Sequence, residues 1–452
     1  MRASTGPRSN WLVSVSRLSS SRLSSRCTTQ GQPLGLMAKQ TFHSATLDNG
    51  IVLLGEDLPG LESVAIAFHV PAGAINDPVG GSGLAALSGE MMLRGAGDRS
   101  GRRIVDDLEG AGVQWSQGVT TTHGSFSGGM VARQLPTVLP IYADILRRPL
   151  LDADELEKAR QVVLQNLAGI EDDPSHLTIS TLRRLIYPAP WGMPAEGLTP
   201  DVERLSIDAV RAFVAGNVQP QGTIIAVAGR IDWADFVRRV EALLGDWEAA
   251  RGSDVVTHDR GPRVEHVPHD SQQTHIALAW SLPPYRDDAS YDVNAALAIL
   301  GGGSSSRLFT EVRERRGLCY SVSAGYHTHR DFASAVCYAG TTAARAQETL
   351  DVMLAEIKRL PGSIDQGELD RVKARAKSGL VMQQESSAAR AGGIARQWYH
   401  LGRVRSLEEE LQRLDALSVD SIERRLADHP VADLTVVSLG SAALEVPDAV
   451  SA

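Results

Sequence analysis

DADELEKARQVVL, Asp152 to Leu164, returns as DQGELDRVKARAK, Asp365 to Lys377, 213 positions further on. Two other segments recur at nearly the same distance. AIAFHV (Ala65 to Val70) matches IALAWS (Ile276 to Ser281), and TIIAVAG (Thr223 to Gly229) matches LTVVSLG (Leu434 to Gly440), both 211 apart. Near-constant offsets over three elements in the same order mark a duplicated unit. The first element reads as a long helix, Asp152 to Glu171, with Asp152 at its N-cap and Glu155 three residues on as a capping box. The other two read as apolar strands.

Around them, Ile51 to Leu54 is a strand after an Asp48-Asn49-Gly50 turn, and Val64 to Val70 is a buried strand. Helices follow at Leu84 to Leu93 and Arg102 to Glu109, then a strand pair at Val113 to Thr120 and Gly124 to Val131. Leu135 to Leu146 is an amphipathic helix, Ile224 to Ala228 a strand and Trp233 to Leu244 a helix. Hairpins and helices in segregated runs predict α+β domains, two in tandem. The predicted division is residues 37–247 and 274–452, joined by a polar, Gly/Pro-bearing linker at 248–273.

A length of 452 residues suits such an arrangement, and 43% hydrophobic with 22% charged residues describes an ordinary globular chain. A net charge of −9 gives no basic surface for nucleic acid. Cys27, Cys319 and Cys337 make neither a disulfide framework nor a C-x-x-C zinc pair. No apolar run approaches the roughly 18 residues of a membrane-spanning helix. Residues 1–36 carry five Arg, many Ser and no acid, the composition of an organellar transit peptide, of a disordered tail, or of an upstream start before Met37. They are set aside from the fold.

The densest motif is LGGGSSSRLFTEVRERRGLCYSVSAGY, Leu300 to Tyr326. Gly301, Gly302 and Gly303 predict a turn, free to take φ > 0 or to approach another chain closely. A helix follows from Ser305 to Arg316, then a break at Gly317 and a strand from Tyr320 to Tyr326. Arg313 and Tyr320 straddle the break, so a helix end and a strand start can bring them to one place. With SSRLF and GLCYSV around them, this segment resembles the substrate-binding segment of the insulinase/pitrilysin zinc peptidases, in particular the processing-peptidase-like branch. The resemblance covers about residues 40 to 445. It implies two facing domains that form half of a clamshell. It also implies that Arg313, Tyr320 and the three glycines hold the backbone of a substrate peptide.

Active members of that family carry H-x-x-E-H on a first-domain helix, two zinc ligands and a general base on one face, with a distal Glu as third ligand. The matching stretch here is GLAALSGEMMLRG, Gly83 to Gly95. Ala86 stands for the first His, Gly89 for the Glu, Glu90 for the second His, and Asn166 for the distal Glu. A methyl group and a neutral amide are not zinc ligands, so no metal is expected in this chain. Glu90 reads as a solvated helix residue. His266 and His269 in the linker, His327 and His329 on alternate strand positions, and His123 near a turn read as satisfied or surface histidines. Gly301 to Ser306 lacks the lysine of a phosphate-binding loop.

The expectation is therefore a chain inactive alone: the non-catalytic, substrate-binding subunit of a heterodimeric zinc peptidase for extended peptides, its homologous partner carrying H-x-x-E-H and the zinc. The alternatives are a structural subunit like the core proteins of the respiratory cytochrome bc1 complex, or a peptide-binding module without peptidase activity. The short glycine stretch resembles the bacterial two-subunit enzymes and points to the bacterial cytoplasm. A genuine transit peptide would instead point to the mitochondrial matrix.

Overall fold

A computed structural model describes residues 40–249 and 255–447. The extension at residues 1–36 lies outside the described residues. Strands β1 (Thr41–Thr46), β2 (Val52–Asp57), β3 (Ser63–Val70), β4 (Gln114–Val119), β5 (Gly124–Val131) and β6 (Ile224–Gly229) form one sheet, in the order β1-β2-β6-β3-β5-β4. Strands β7 (Val264–Pro268), β8 (Gln273–Leu282), β9 (Cys319–Thr328), β10 (Ala333–Thr342) and β11 (Thr435–Gly440) form the other, in the order β9-β10-β8-β11-β7. Counted from the hairpin edge inward, the two orders are the same over five strands, and β1 adds a sixth to the first sheet. Each sheet has one parallel pair, β2 with β6 and β7 with β11, at the equivalent place. The sequence offsets thus report a duplicated topology: two α+β domains of one design. Strand β7 falls within the stretch expected to be linker. Its sequence, VEHVP, is too short and too polar to show a strand period.

Six helices position the rest: α1 (Leu84–Met92), α2 (Leu156–Glu171), α3 (Pro174–Ile186), α4 (Ser290–Gly301), α5 (Gln366–Gln383) and α6 (Ser387–Leu401). The central strands are apolar on both faces, but unequally. On β3, Val64, Ile66, Phe68 and Val70 join the core that includes Leu84, Leu87 and Met91 of α1, while Ala65 and Ala67 point the other way. On β8, Ile276, Leu278 and Trp280 enter the second core, and Ala277 and Ala279 face away from it.

The small-residue faces are covered by exchange. Helix α3 belongs to the first half, yet Leu182, Leu185 and Ile186 pack on Ala277, Ala279 and Val437 of the second sheet. Helix α6 belongs to the second half, yet Ile394 and Ala395 pack on Leu54, Ile224 and Ala226, and Ala391 on Ala65, Ala67 and Ala228, all of the first sheet. Alanine on the strands lets each helix lie close. The two helices begin at residues 174 and 387, again 213 apart, so the exchange is part of the duplicated design.

One buried ion pair fixes it. Glu56 on β2 is fully buried, and Arg390 on α6 donates from Nε to its Oε2 at 2.7 Å. Gln40 Nε2 donates to the other carboxylate oxygen at 2.8 Å. The predicted capping box is corrected. Ala153–Glu155 forms a 3-10 turn, Asp152 accepts from the Asp154 N–H at 3.1 Å, and Glu155 turns instead to Lys158 at 2.5 Å and Arg94 at 3.6 Å. The box forms in the copy, where Asp365 and Glu368 cap each other reciprocally at 2.9 and 3.1 Å. Among the described residues no helix is long and apolar enough to cross a membrane.

Arg390→Ala leaves the Glu56 carboxylate buried without its cation and is expected to cost about 3–5 kcal/mol. Urea unfolding should show a lower midpoint. Replacing both partners with apolar residues should recover much of the loss.

Candidate functional site

Helices α1 and α2 and edge strand β4 bring the degenerate positions together. Ala86, Glu90 and Asn166 line one cavity of about 170 Å³ with Gln117, Val163 and Glu196. Helix α1 starts there because Gly83, at φ +101°, donates its N–H to Asp77 Oδ2 at 2.7 Å, and Ala85 donates to Oδ1 at 2.8 Å. Burial pushes the Asp77 carboxyl up to about 7, against the pull of those N–H groups.

The donor set does not suit zinc. Ala86 offers a methyl group and Asn166 a neutral amide. Glu90 accepts from Arg94 Nη2 at 2.7 Å and Nε at 3.2 Å, so it is a paired carboxylate and not the solvated residue expected from sequence. The guanidinium beside it opposes a divalent cation. The general-base position is refilled: a Cβ on Gly89 would stand 2.2 Å from Gln117 Nε2. Among the described residues no group of three or more His, Cys, Asp or Glu is placed to hold a metal ion.

Arg313 and Tyr320 meet. Arg313 lies in a π-helical turn, Phe309–Arg315, and not in the regular helix expected, while Gly317 at φ +62° ends the turn. Its guanidinium carbon sits 4.8 Å from the Phe309 ring centroid and 5.0 Å from that of Tyr320. The neighbouring arginines are drawn elsewhere, Arg315 to Glu311 at 2.5 Å and Arg316 to the same carboxylate at 2.8 Å. Arg307, which sequence reasoning passed over as part of SSRLF, anchors this segment. Buried, it grips Glu368 with two bonds of 2.7 Å and donates to the Ser363 carbonyl at 2.7 Å. Tyr320 is 79% exposed, at a bulge where the pairing of β9 with β10 shifts between Cys319 and Ser321. Strand β9 is the edge of its sheet, as β4 is of the first.

Of the two uses expected of the glycines, close approach is the one seen, and none of the three takes positive φ. Gly301 ends α4, where a Cβ would lie 2.3 Å from the Ala324 N. Gly302 crowds Ala298 and accepts from Arg375, which also packs on Gly303. Gly302 and Gly303 line a cavity of about 460 Å³ between α4 and α5, with Tyr291 and Tyr326. Those helices are the copies of α1 and α2, so this cavity occupies in the second domain the place of the zinc position in the first.

Of the histidines named from the sequence, His123, His327 and His329 are not surface groups and lie near one another, while His266 pairs with Ser438 elsewhere. His327 ends β9 with His329 just beyond it, their rings 5.0 Å apart. His123 lies 5.9 Å from His69 and 4.7 Å from Tyr399, which stacks edge-on against His400. Burial holds all five imidazoles far below the usual 6.5: His69, His329 and His400 at about 4, His123 and His327 at about 3. Arg396, Arg183 and Arg330 add to it.

With this geometry in view, the comparisons place the chain. A model described as insulinase (peptidase family M16) matches residues 52–190, and one described as the peptidase M16 inactive domain matches 204–376. The fold defines a two-domain protein of the peptidase M16 type. The chain belongs to the insulinase family, peptidase family M16. An uncharacterized zinc protease of Mycobacterium tuberculosis is 26% identical over 388 residues, 83% of this chain and 88% of that protein. One of Bacillus subtilis is 26% identical over 383 residues, covering 83% and 93%. A crystal structure of a peptidase M16 inactive domain from Pseudomonas fluorescens superposes with a TM-score of 0.80 at 20% identity, covering 90% of this chain and 99% of its own. A chain of Complex III2 from Candida albicans does so with 0.76 at 19% identity, covering 88% and 96%.

Two predictions follow from these geometries. Gly89→Ala should change stability by less than about 1 kcal/mol, the gain in helix propensity offsetting displacement of the flexible Gln117 amide, and with Gln117→Ala in the same chain it should become stabilising, as a double-mutant cycle in urea would show. Folded, the five imidazoles stay neutral. Unfolded, they protonate near 6.5, so below that pH the unfolded chain binds more protons. Stability present above about pH 6.5 should drain away as pH falls towards 4. A His123→Gln/His400→Gln variant should show a shallower loss of urea midpoint across that range.

Proposed function

We propose that this chain is the non-catalytic, substrate-binding subunit of a heterodimeric zinc peptidase, closing against a homologous partner that carries H-x-x-E-H. The observation that carries the reading is a pairing of opposites. The metal position is reduced to a methyl, an amide and a paired carboxylate, while half-buried Arg313 lies against the ring of exposed Tyr320 at the bulged start of an edge strand. An edge strand offers a row of backbone groups to an extended peptide, and a bulge is a usual device for aiming a side chain there. In this reading Arg313 donates its planar fork to a substrate carbonyl. The Tyr320 hydroxyl donates to the scissile carbonyl oxygen as it becomes an oxyanion on the partner's side of the chamber. Gly302 and Gly303 line the neighbouring wall of the cleft through the 460 Å³ cavity, and Gly301 sets the helix end that supports it. The bacterial relatives favour a bacterial cytoplasmic protein.

A second reading, a structural subunit of a larger assembly, is favoured by the likeness to a chain of Complex III2. The two separate on one experiment. The purified chain is assayed for zinc and for cleavage of a quenched fluorescent peptide library, alone and after mixing with an M16 homologue that carries H-x-x-E-H. No zinc and no cleavage alone, with cleavage on mixing, supports the peptidase reading. Silence after mixing, with the two chains shown to associate, moves the assignment to the structural one.

Within an active complex, Arg313→Ala and Tyr320→Phe should each lower kcat/KM by roughly 10²-fold, the scale of one lost oxyanion donor. Assembly, followed by size-exclusion chromatography, should not change. Unaltered kinetics in both variants would remove the assigned roles.

A further inference from the structure

The seam between the domains holds a cavity of about 550 Å³ that shares no lining residue with the degenerate metal position. Two tight turns and a helix end meet there. The turn from β4 to β5 contributes Thr120, Thr121, Thr122 and His123, and the end of β9 contributes His327, Thr328 and His329. His69 adds a ring from β3, and α6 closes the wall with Arg396, Tyr399 and His400.

Its chemistry is one-sided, for no carboxylate is among the lining residues. Hydroxyls, imidazoles, an amide and a guanidinium are. His329 Nε2 and His400 Nδ1 are buried without a hydrogen-bond partner, on residues only 7% and 8% exposed. These two nitrogens are closed to water and to the cavity alike, so only the remaining edge of each ring is left to line it. The charges that face the rings are cationic from every side: Arg396 on α6, Arg183 on α3 and Arg330 in the turn after β9. Asp331, next to Arg330, is held by Arg286 at 2.9 Å, and Glu196 lines the adjoining smaller cavity with His327 and His329. The room is also maintained at a cost. Gly392 and Gly393 sit inside α6, where glycine is a poorer helix former than alanine, although a Cβ on either would meet nothing within 4 Å.

We propose that this seam cavity binds a small multivalent anion, a polycarboxylate or a phosphate, held by Arg396, His329, His400 and the Thr121 hydroxyl. The ligand bridges the two domains, because its partners come from both. An anion between these rings favours their protonated form, so binding takes up protons and tightens as pH falls. The site stands independently of the peptide clamp, and the isolated chain suffices to test it.

The test is isothermal titration calorimetry and thermal denaturation of the full chain with citrate and, separately, inorganic phosphate, at pH 7.5 and 6.0 and at ionic strength fixed with sodium chloride. One anion per chain, a raised Tm and at least several-fold tighter binding at pH 6.0 are expected. Binding of one probe without the other names the ligand as carboxylate or phosphate. Arg396→Gln and His400→Gln should each weaken it about tenfold or more. Ala389→Glu, which brings a carboxylate to an exposed point of the cavity wall, should abolish it without disturbing the fold. The solvent-facing Arg102→Gln should leave it unchanged. Heats no larger than those of sodium chloride, affinity independent of pH, or binding undiminished in Ala389→Glu and Arg396→Gln would each overturn the proposal, the last marking an adventitious ion only.

Discussion

The structure depends on an exchange. Each sheet has a large-residue face for its own helices and an alanine face for a helix from the other half, and the buried Glu56–Arg390 pair ties one of those helices in place. Two hydrophobic faces that neither domain can cover by itself are covered together. Burying a leucine or isoleucine side chain contributes about 1.5–3 kcal/mol, and Leu182, Leu185, Ile186 and Ile394 are all buried in this way. The ion pair adds direction more than energy, since a buried carboxylate must meet its cation. The domains are therefore not beads on a linker, and the positions of Arg313, Tyr320 and the histidine-lined seam all follow from how they interlock.

Much of this was legible in the chain, and the part that was not has a physical reason. Three matched segments were enough to predict two copies of one α+β design. The apolar runs AIAFHV and IALAWS read as buried strands. What covers the second face could not be read, because α3 and α6 carry ordinary amphipathic sequence that does not say which sheet it meets. The Asp152 capping box failed for a related reason: Glu155 had the local spacing, but Lys158 and Arg94, the latter from the turn after α1, competed for it. At Gly301 to Gly303 the sequence suggested conformational freedom, and the fold uses absence of bulk against Ala324, Ala298 and Arg375.

The candidate site divides in the same way. That Ala86, Gly89 and Asn166 cannot hold zinc follows from their side chains alone. That Gln117 has moved into the space beside Gly89, and Arg94 onto Glu90, needed coordinates. The metal position has been repacked as a small structural joint, which is why it no longer resembles a site missing one ligand. Arg313 and Tyr320 were paired by spacing, but their stacking and the bulge beneath Tyr320 are tertiary facts. His123, His327 and His329 were seen one or two at a time and His69 and His400 not at all, and only the meeting of two turns and a helix end makes them a single chamber.

The reciprocal helices also say something about how such a chain can arise. A half of this molecule, bearing one sheet and one projecting helix, has an uncovered alanine face and a helix with nowhere of its own to lie. Two copies satisfy each other completely by trading that helix about a two-fold axis, the closed form of a swapped dimer. Fusing the two genes would change no contact and would only make the partner permanent. Once joined, the copies are free to diverge, so that the first can lose its chemistry and the second enlarge a cavity while the shared seam holds both in register.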